Sequence, residues 1–174
     1  MPPRLFEETV LPHLDAAFNY ARWLTRDDAE AEDVVQDACV RAMRFFSSLR
    51  DADARAWLFM IVRNTWYSRA SRAAGSAKAV GLDTTADDRP DTALDPEALL
   101  LQQHAVTRVR AALDELPADF REAIVLRELE GLSNKEIAAV VRVPLGTVMS
   151  RLARARERLL AVLESTATPI ERVR

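Results

Sequence analysis

Between Ser133 and Leu159 two helical signals stand on either side of a three-residue break, and this stretch constrains the fold more than any other. Ser133 and Glu136 have the spacing of a capping box, in which each side chain satisfies the other's exposed backbone N–H at a helix start. A short helix over Ile137, Ala138 and Val141 is expected to follow. Arg142, Val143 and Pro144 interrupt it, because proline removes a donor and clashes with the preceding turn. Beyond the break Val148, Leu152, Ala155 and Leu159 repeat at intervals of four, three and four, which makes one buried helical face. Thr147, Arg151, Arg154 and Arg158 repeat at the same spacing one residue earlier, about 100° around the axis. The second helix is therefore apolar on one side and cationic beside it, with Ser150 close by. The pattern is a helix-turn-helix, and residues 142–158 hold five Arg against one Glu. Guanidinium groups so placed neutralise phosphates or pair with guanine in the major groove. An amphipathic helix can also carry Arg simply to solvate its outer face, so each single Arg is ambiguous while the whole arrangement favours DNA.

The rest of the chain is equally helical in character. Ala and Leu supply 50 of the 174 residues, and there are only 4 Gly. Aromatic residues make up 6%. Such a composition favours helices and leaves little for a sheet to use. An apolar stripe runs through Phe6, Val10, Leu14, Ala17, Ala21 and Leu24, with Pro12 marking a kink or a helix start. Asp27 and Asp28 offer N-caps for a helix through Val34, Val35, Ala38, Cys39 and Ala42. Residues 47–54 read as a loop, and a third helix spans Arg55 to about Ala73. Residues 74–95 lose helical periodicity and read as a flexible, acidic linker. Asp95-Pro96 then opens a helix to about Leu116. Pro117 restarts another, which Gly131 ends. The last helix runs to about Leu163, and Ser165 to Arg174 form a frayed tail. The expectation is an all-α protein with domains at 1–73 and 96–164, a linker at 74–95 and a tail at 165–174.

A net charge of −3 weighs against a uniformly basic nucleic-acid binder. The sum hides opposed blocks: −5 over 26–37, +5 over 55–78, −5 over 83–97 and +4 over 142–158. In the second block Arg55, Arg63, Arg69, Arg72 and Lys78 lie among aromatic rings, the mixture that grips single-stranded DNA. Trp57, Ile61 and Thr65 share one helical face, however, so most of those rings are expected in the core.

The run LPADFREAIVLRELEGLSNKEIAAVVRVPLGTVMSRLARARERL (116–159) resembles the σ4 domain of the extracytoplasmic-function group of bacterial RNA polymerase sigma factors. The segment DDAEAEDVVQDACVRAM resembles the σ2 segment of the same family that docks on the clamp helices of the polymerase largest subunit. The string RAWLFMIVRNTWYSRASR resembles its −10-reading helix. The resemblance covers roughly residues 5–162 in the order σ2-like helical bundle, linker, σ4-like helix-turn-helix. It implies polymerase contacts at Glu32, Asp33, Val35, Gln36 and Asp37. It implies −10 contacts at Arg55, Trp57, Arg63, Asn64 and Arg69, with the 47–54 loop helping to hold an unstacked base. At the −35 element it implies Arg142, Thr147, Met149, Ser150, Arg151, Arg154 and Arg158. Two positions depart from the family pattern: Arg142 stands where a turn Gly is common, and Met149 where a Lys is common. If the turn needs a positive φ, Arg142 carries a strain that Gly avoids. The implied partners are promoter DNA, core RNA polymerase (clamp helices for the σ2-like half, flap for the σ4-like half) and an anti-sigma factor. The 83–97 segment is either an occupant of a channel built for RNA or a soluble tether.

Two other functional classes fit the sequence less well. An autonomous helix-turn-helix regulator leaves the acidic helix and the 55–73 helix unexplained. An enzyme is disfavoured: His13 and His104 stand on separate modules, and Cys39 has no His or Asp in a nucleophile-like local motif. No cofactor or metal is expected, since metal-ligand spacing, a phosphate-binding Gly loop and a nucleophile elbow are all missing. The single cysteine fits a reducing cytoplasm, and Arg4, Glu7 and Glu8 break any secretory leader. The longest apolar stretch, Ala56 to Val62, is too short to insert in a membrane.

Overall fold

The structure, a computed structural model, describes residues 3–50, 53–75 and 96–166. Among these residues there is no strand. The first half contains α1 (Pro3–Val10), α2 (Leu14–Thr25), α3 (Asp28–Phe45) and α4 (Ala54–Ala74). The second contains α5 (Pro96–Asp114), α6 (Ala118–Ile124), α7 (Asn134–Val141) and α8 (Leu145–Thr166). Residues 76–95, including the Asp95 cap and most of the acidic 83–97 block, and the tail from 167 lie outside the described residues.

Local chemistry accounts for the boundaries. Pro12 opens a 3-10 turn over Leu11–His13, which separates α1 from α2. Asp27 caps α3 by accepting from the Glu30 N–H at 2.7 Å. Asp53 does the same for α4 from the Arg55 N–H at 2.8 Å. The expected capping box is present, with Ser133 N–H donating to Glu136 Oε2 at 2.6 Å and Glu136 N–H donating to Ser133 Oγ at 3.2 Å. Arg142 has φ 56° and ψ 48°, so the left-handed turn that Gly would fit more easily is indeed required. Gly131, at φ 68°, makes the other left-handed turn of this half. The expected tail start shifts by two residues, because Ser165 and Thr166 close α8 with their hydroxyls bonded to the Val162 carbonyl.

α2, α3 and α4 pack together as a bundle around Ala17, Tyr20, Ala21, Val34, Ala38, Leu58, Phe59 and Val62. Trp57, Ile61 and Thr65 are all buried, as their shared face predicts. In the second half, Val148, Leu152 and Ala155 are buried with Leu159 packed beside them. The two halves do not stand apart. α4 packs on α7, and one continuous apolar cluster runs from Val10 and Tyr20 through Val62 to Val125, Ile137, Val140 and Leu152. Trp23 of α2 also packs against the smaller cluster of Leu113, Leu116, Ile124 and Ala155. The π-helical turn over Val125–Leu129 was not legible in the sequence. Its wider ladder, closed by Glu130 N–H to the Val125 carbonyl at 3.0 Å, changes the direction in which the following residues point.

Candidate functional site

The acidic helix comes first. On α3, Ala31, Val34, Ala38 and Ala42 face the core, so residues offset from them face solvent. Glu32, Asp33, Gln36 and Asp37 are exposed, while Val35 is half-buried against the core. The same outer face continues into Val40 and Met43, which are 50% and 64% exposed. Sequence reading named the acids and passed over these two apolar side chains, although the three- and four-residue spacing from Gln36 and Asp37 already puts them on one stripe. Charged residues followed by exposed aliphatic ones make a surface suited to a protein partner rather than to DNA.

α4 carries the cations. Arg69 crosses to α3 and donates to Asp37 Oδ2 at 2.6 Å, with Asp33 Oδ2 at 3.5 Å. One expected DNA contact is thus paired with two expected polymerase contacts. Arg55 donates to Glu130 Oε2 at 2.8 Å and lies over the Phe59 ring at 5.4 Å. Arg63 donates through Nε to Glu122 Oε1 at 2.7 Å and through Nη2 to Glu122 Oε2 at 3.2 Å. Its guanidinium also lies over the Tyr67 ring at 4.5 Å. Asn64 is half-buried, and Trp57 is buried edge-on against Phe46.

Glu122 and Glu130 belong to the second half of the chain and are 5% and 6% exposed. Glu122 has a further partner, the Tyr20 hydroxyl of α2, which donates to Oε1 at 2.6 Å. A buried carboxylate without partners is prohibitively costly, and here a bidentate Arg and a phenol satisfy it. Burial, the Glu122 charge and the hydrogen bond to Glu122 raise the Tyr20 hydroxyl well above its ordinary pKa of 10.0. Burial also pushes the Glu130 carboxyl up, and the Arg55 hydrogen bond and charge offset part of that. A third link joins the halves: Arg26, at the left-handed end of α2, donates to the Asp114 carbonyl at 3.0 Å and to Asp114 Oδ1 at 2.7 Å. A cation there complements the C-terminal end of α5. Sequence reading missed Glu122, Glu130, Tyr20, Arg26 and Asp114. One signal was available, because Glu122 directly precedes the apolar run Ala123–Leu126. A helix apolar all round is buried all round, and an acid at its edge needs a cation.

The helix-turn-helix presents α8 to solvent along the expected face. Arg142, Met149, Ser150, Arg154 and Arg158 are exposed, and Thr147 and Arg151 are half-buried. Arg151 pairs with Asp119 at 3.0 Å, and Arg158 sits over the Phe120 ring at 5.1 Å, so α6 positions both. Arg154 is exposed and has no ion pair or ring contact of that kind among the described residues. Cys39 is half-buried and its thiol is pushed up by burial, which makes it a poor nucleophile. Among the described residues no group of His, Cys, Asp or Glu has the arrangement of a metal site, and no helix is long and apolar enough to cross a membrane.

With this geometry in hand, comparison with known proteins gives consistent matches. The family described as Sigma-70 region 2 matches residues 9–75, and Sigma-70, region 4 matches residues 107–159. The chain is 34% identical over 170 residues to the RNA polymerase sigma-H factor of Pseudomonas aeruginosa, covering 92% of this chain and 87% of that protein. It is 33% identical over 154 residues to the ECF RNA polymerase sigma factor SigE of Mycolicibacterium smegmatis. There the alignment takes in 88% of this chain but spans only 60% of the relative's length. Among solved structures, the sigma factor RpoE of Bartonella quintana, co-crystallised with the anti-sigma factor NepR, superposes with a TM-score of 0.73 at 31% identity. That match covers 93% of this chain and 98% of the other.

Proposed function

The chain belongs to the extracytoplasmic-function group of the sigma-70 family, and from that premise we propose that it is a promoter-specificity subunit for core RNA polymerase. It acts in the cytoplasm, without catalytic chemistry of its own. Residues 1–73 dock on the polymerase and read and melt the −10 element, and residues 96–164 read the −35 duplex. Residues 74–95 connect them, with 165–174 as a tail.

One observation carries the reading: a single chain holds three distinct surfaces in the order such a subunit needs. The exposed face of α3 combines Glu32, Asp33, Gln36 and Asp37 with Val40 and Met43, a mixed acidic and apolar docking surface for the clamp helices. The cations of α4, Arg55, Arg63 and Arg69, with Asn64, line the route of a single strand. Capture of an extruded base offsets the few kcal/mol needed to unstack it, and so favours the open duplex. The outer face of α8, with Arg142, Thr147, Met149, Ser150, Arg151, Arg154 and Arg158, enters the major groove, while the flap receives the same half of the chain. Similarity to a sigma factor solved with an anti-sigma factor supports an anti-sigma partner for this chain as well.

Run-off transcription with core polymerase on a genomic promoter library tests the proposal. Initiation from a defined subset of promoters is expected, and no initiation from any of them would sink it. Replacing Arg151 and Arg154 together by alanine should abolish −35-dependent initiation while polymerase binding survives. Changing Asp33 and Gln36 to alanine should do the reverse, which pull-down of core enzyme measures directly.

A further inference from the structure

The residues of α8 that face solvent are not all charged. Val148, Leu152 and Ala155 bury one side of the helix. At 3.6 residues per turn, Gly146 and Ser150 then point away from the core, and both are exposed. Thr147, Arg151 and Arg154 lie to one side of that line, and Leu145 and Met149 lie to the other. Leu145 is 40% and Met149 55% exposed, so the first two turns of α8 leave two large apolar side chains in water. Solvation of an outer face accounts for an Arg there, and it does not account for a Met. Gly146 adds a second observation. A Cβ at that position would meet nothing within 4 Å, and the backbone is not left-handed, so neither packing within the chain nor a turn calls for glycine. Glycine also weakens a helix relative to alanine. What its missing side chain provides is room for another molecule to approach α8 between the cationic and the apolar flank.

We infer that Met149 is a specificity-determining residue, which reads the C5-methyl group of a thymine in the −35 element. The inference rests on the assignment of α8 to the −35 duplex and names a base preference within it. In the major groove that methyl is the apolar feature by which thymine differs from the other bases. Met149 has neither a donor for guanine nor a charge for phosphate, and its flexible, polarisable thioether suits an apolar contact of irregular shape. A Lys at the same position, as is common in the family, offers the reverse. With Gly146 and Ser150 over the groove floor, Arg151 and Arg154 lie toward one side, and Met149 with Leu145 toward the other. The cations hold phosphate or guanine and fix the helix on the duplex. The apolar flank selects thymine against cytosine, which lacks the methyl and presents an amino donor that Met149 leaves unpaired.

The test uses the full chain bound to core polymerase and a promoter library randomised across the −35 element. Wild type should enrich thymine at one position or more, and Met149→Lys should lose that enrichment at one of them. On a promoter carrying that thymine, deoxyuridine in its place removes the methyl group and nothing else. Wild-type initiation at subsaturating holoenzyme should then fall about fourfold, the worth of one buried methyl. Met149→Ala should initiate equally from the two templates, because the side chain that senses the methyl is gone. Where a variant initiates too slowly to measure, anisotropy of the holoenzyme on the same two labelled duplexes gives the ratio. Met149 is exposed, so both variants should keep the wild-type fold, which far-UV circular dichroism checks. A −35 element without an enriched thymine overturns the inference. So does wild-type indifference to the methyl at every enriched thymine, or an equal loss in Met149→Ala. A chain that initiates with polymerase yet shows no such dependence disproves only the role of Met149. A chain that never initiates from any promoter disproves the function on which that role rests.

Discussion

Arg142 holds its left-handed conformation with a full side chain, and that choice has an energetic consequence. A non-glycine residue at φ 56° crowds its Cβ against the backbone at a cost of about 1 kcal/mol. Arg142→Gly is therefore expected to stabilise the chain by up to about 1 kcal/mol, less whatever the greater freedom of glycine returns to the unfolded state. The midpoint of urea unfolding checks it, and a destabilised variant would show that the Arg142 side chain contributes more to the fold than its strain removes. The same variant should bind −35 duplex more weakly if Arg142 touches phosphate. At this scale the family resemblance marks position 142 as one where Gly is common, and only the backbone angle shows that the need is real here. Glu122 is the opposite case. Its identity said nothing of Arg63 or Tyr20, which stand 59 and 102 residues away in the chain.

At the scale of single elements the sequence was more legible, because helix starts are decided within four residues. Asp27, Asp53 and Ser133 each cap a helix through a side chain in the same turn. Ser133→Ala should cost about 1 kcal/mol by leaving the first N–H groups of α7 unpaired. The loss should appear as a lower thermal midpoint, with α7 amides exchanging faster than those of α3. On α8 the two interleaved stripes separate buried from exposed residues because 3.6 residues per turn maps spacing onto direction. What the periodicity could not indicate is which Arg is tied down. Asp119 restrains Arg151 and Phe120 lies under Arg158, and both partners come from α6. Arg154→Ala should accordingly weaken duplex binding and lower its salt slope by about 1, as expected for one lost phosphate contact. An unchanged slope would place Arg154 off the backbone. The π-helical turn was illegible, since its five residues have ordinary helix-forming identities and the widened ladder answers to packing around them.

For the molecule as a whole, the interface between the halves, with its buried Tyr20–Glu122 and Arg63–Glu122 contacts, contributes to stability. The Tyr20 hydroxyl ionises only well above 10.0, so its contribution is complete below that value. As pH rises past it, the unfolded phenol loses its proton first and the stabilisation drains away. The urea midpoint of the wild type should fall as pH is raised through this range, and Tyr20→Phe should flatten part of that decline. Tyr67, raised by burial and by the Glu122 charge, supplies some of the remaining slope. At neutral pH the same variant should be about 2 kcal/mol less stable, the worth of a hydrogen bond to a charged group. A wild-type midpoint that does not fall above pH 10.0 would mean that the phenol is not buried against Glu122. Sequence by itself determined the helices, their caps, the helix-turn-helix, the alternating blocks of charge and the family they imply, all of which depend on neighbours within a few residues. The tertiary structure decided which charges meet. Burial turns pairs such as Arg63–Glu122 and Arg55–Glu130 from solvated surface ions into partners that desolvation forces together, and no local pattern encodes a partner brought near by packing alone.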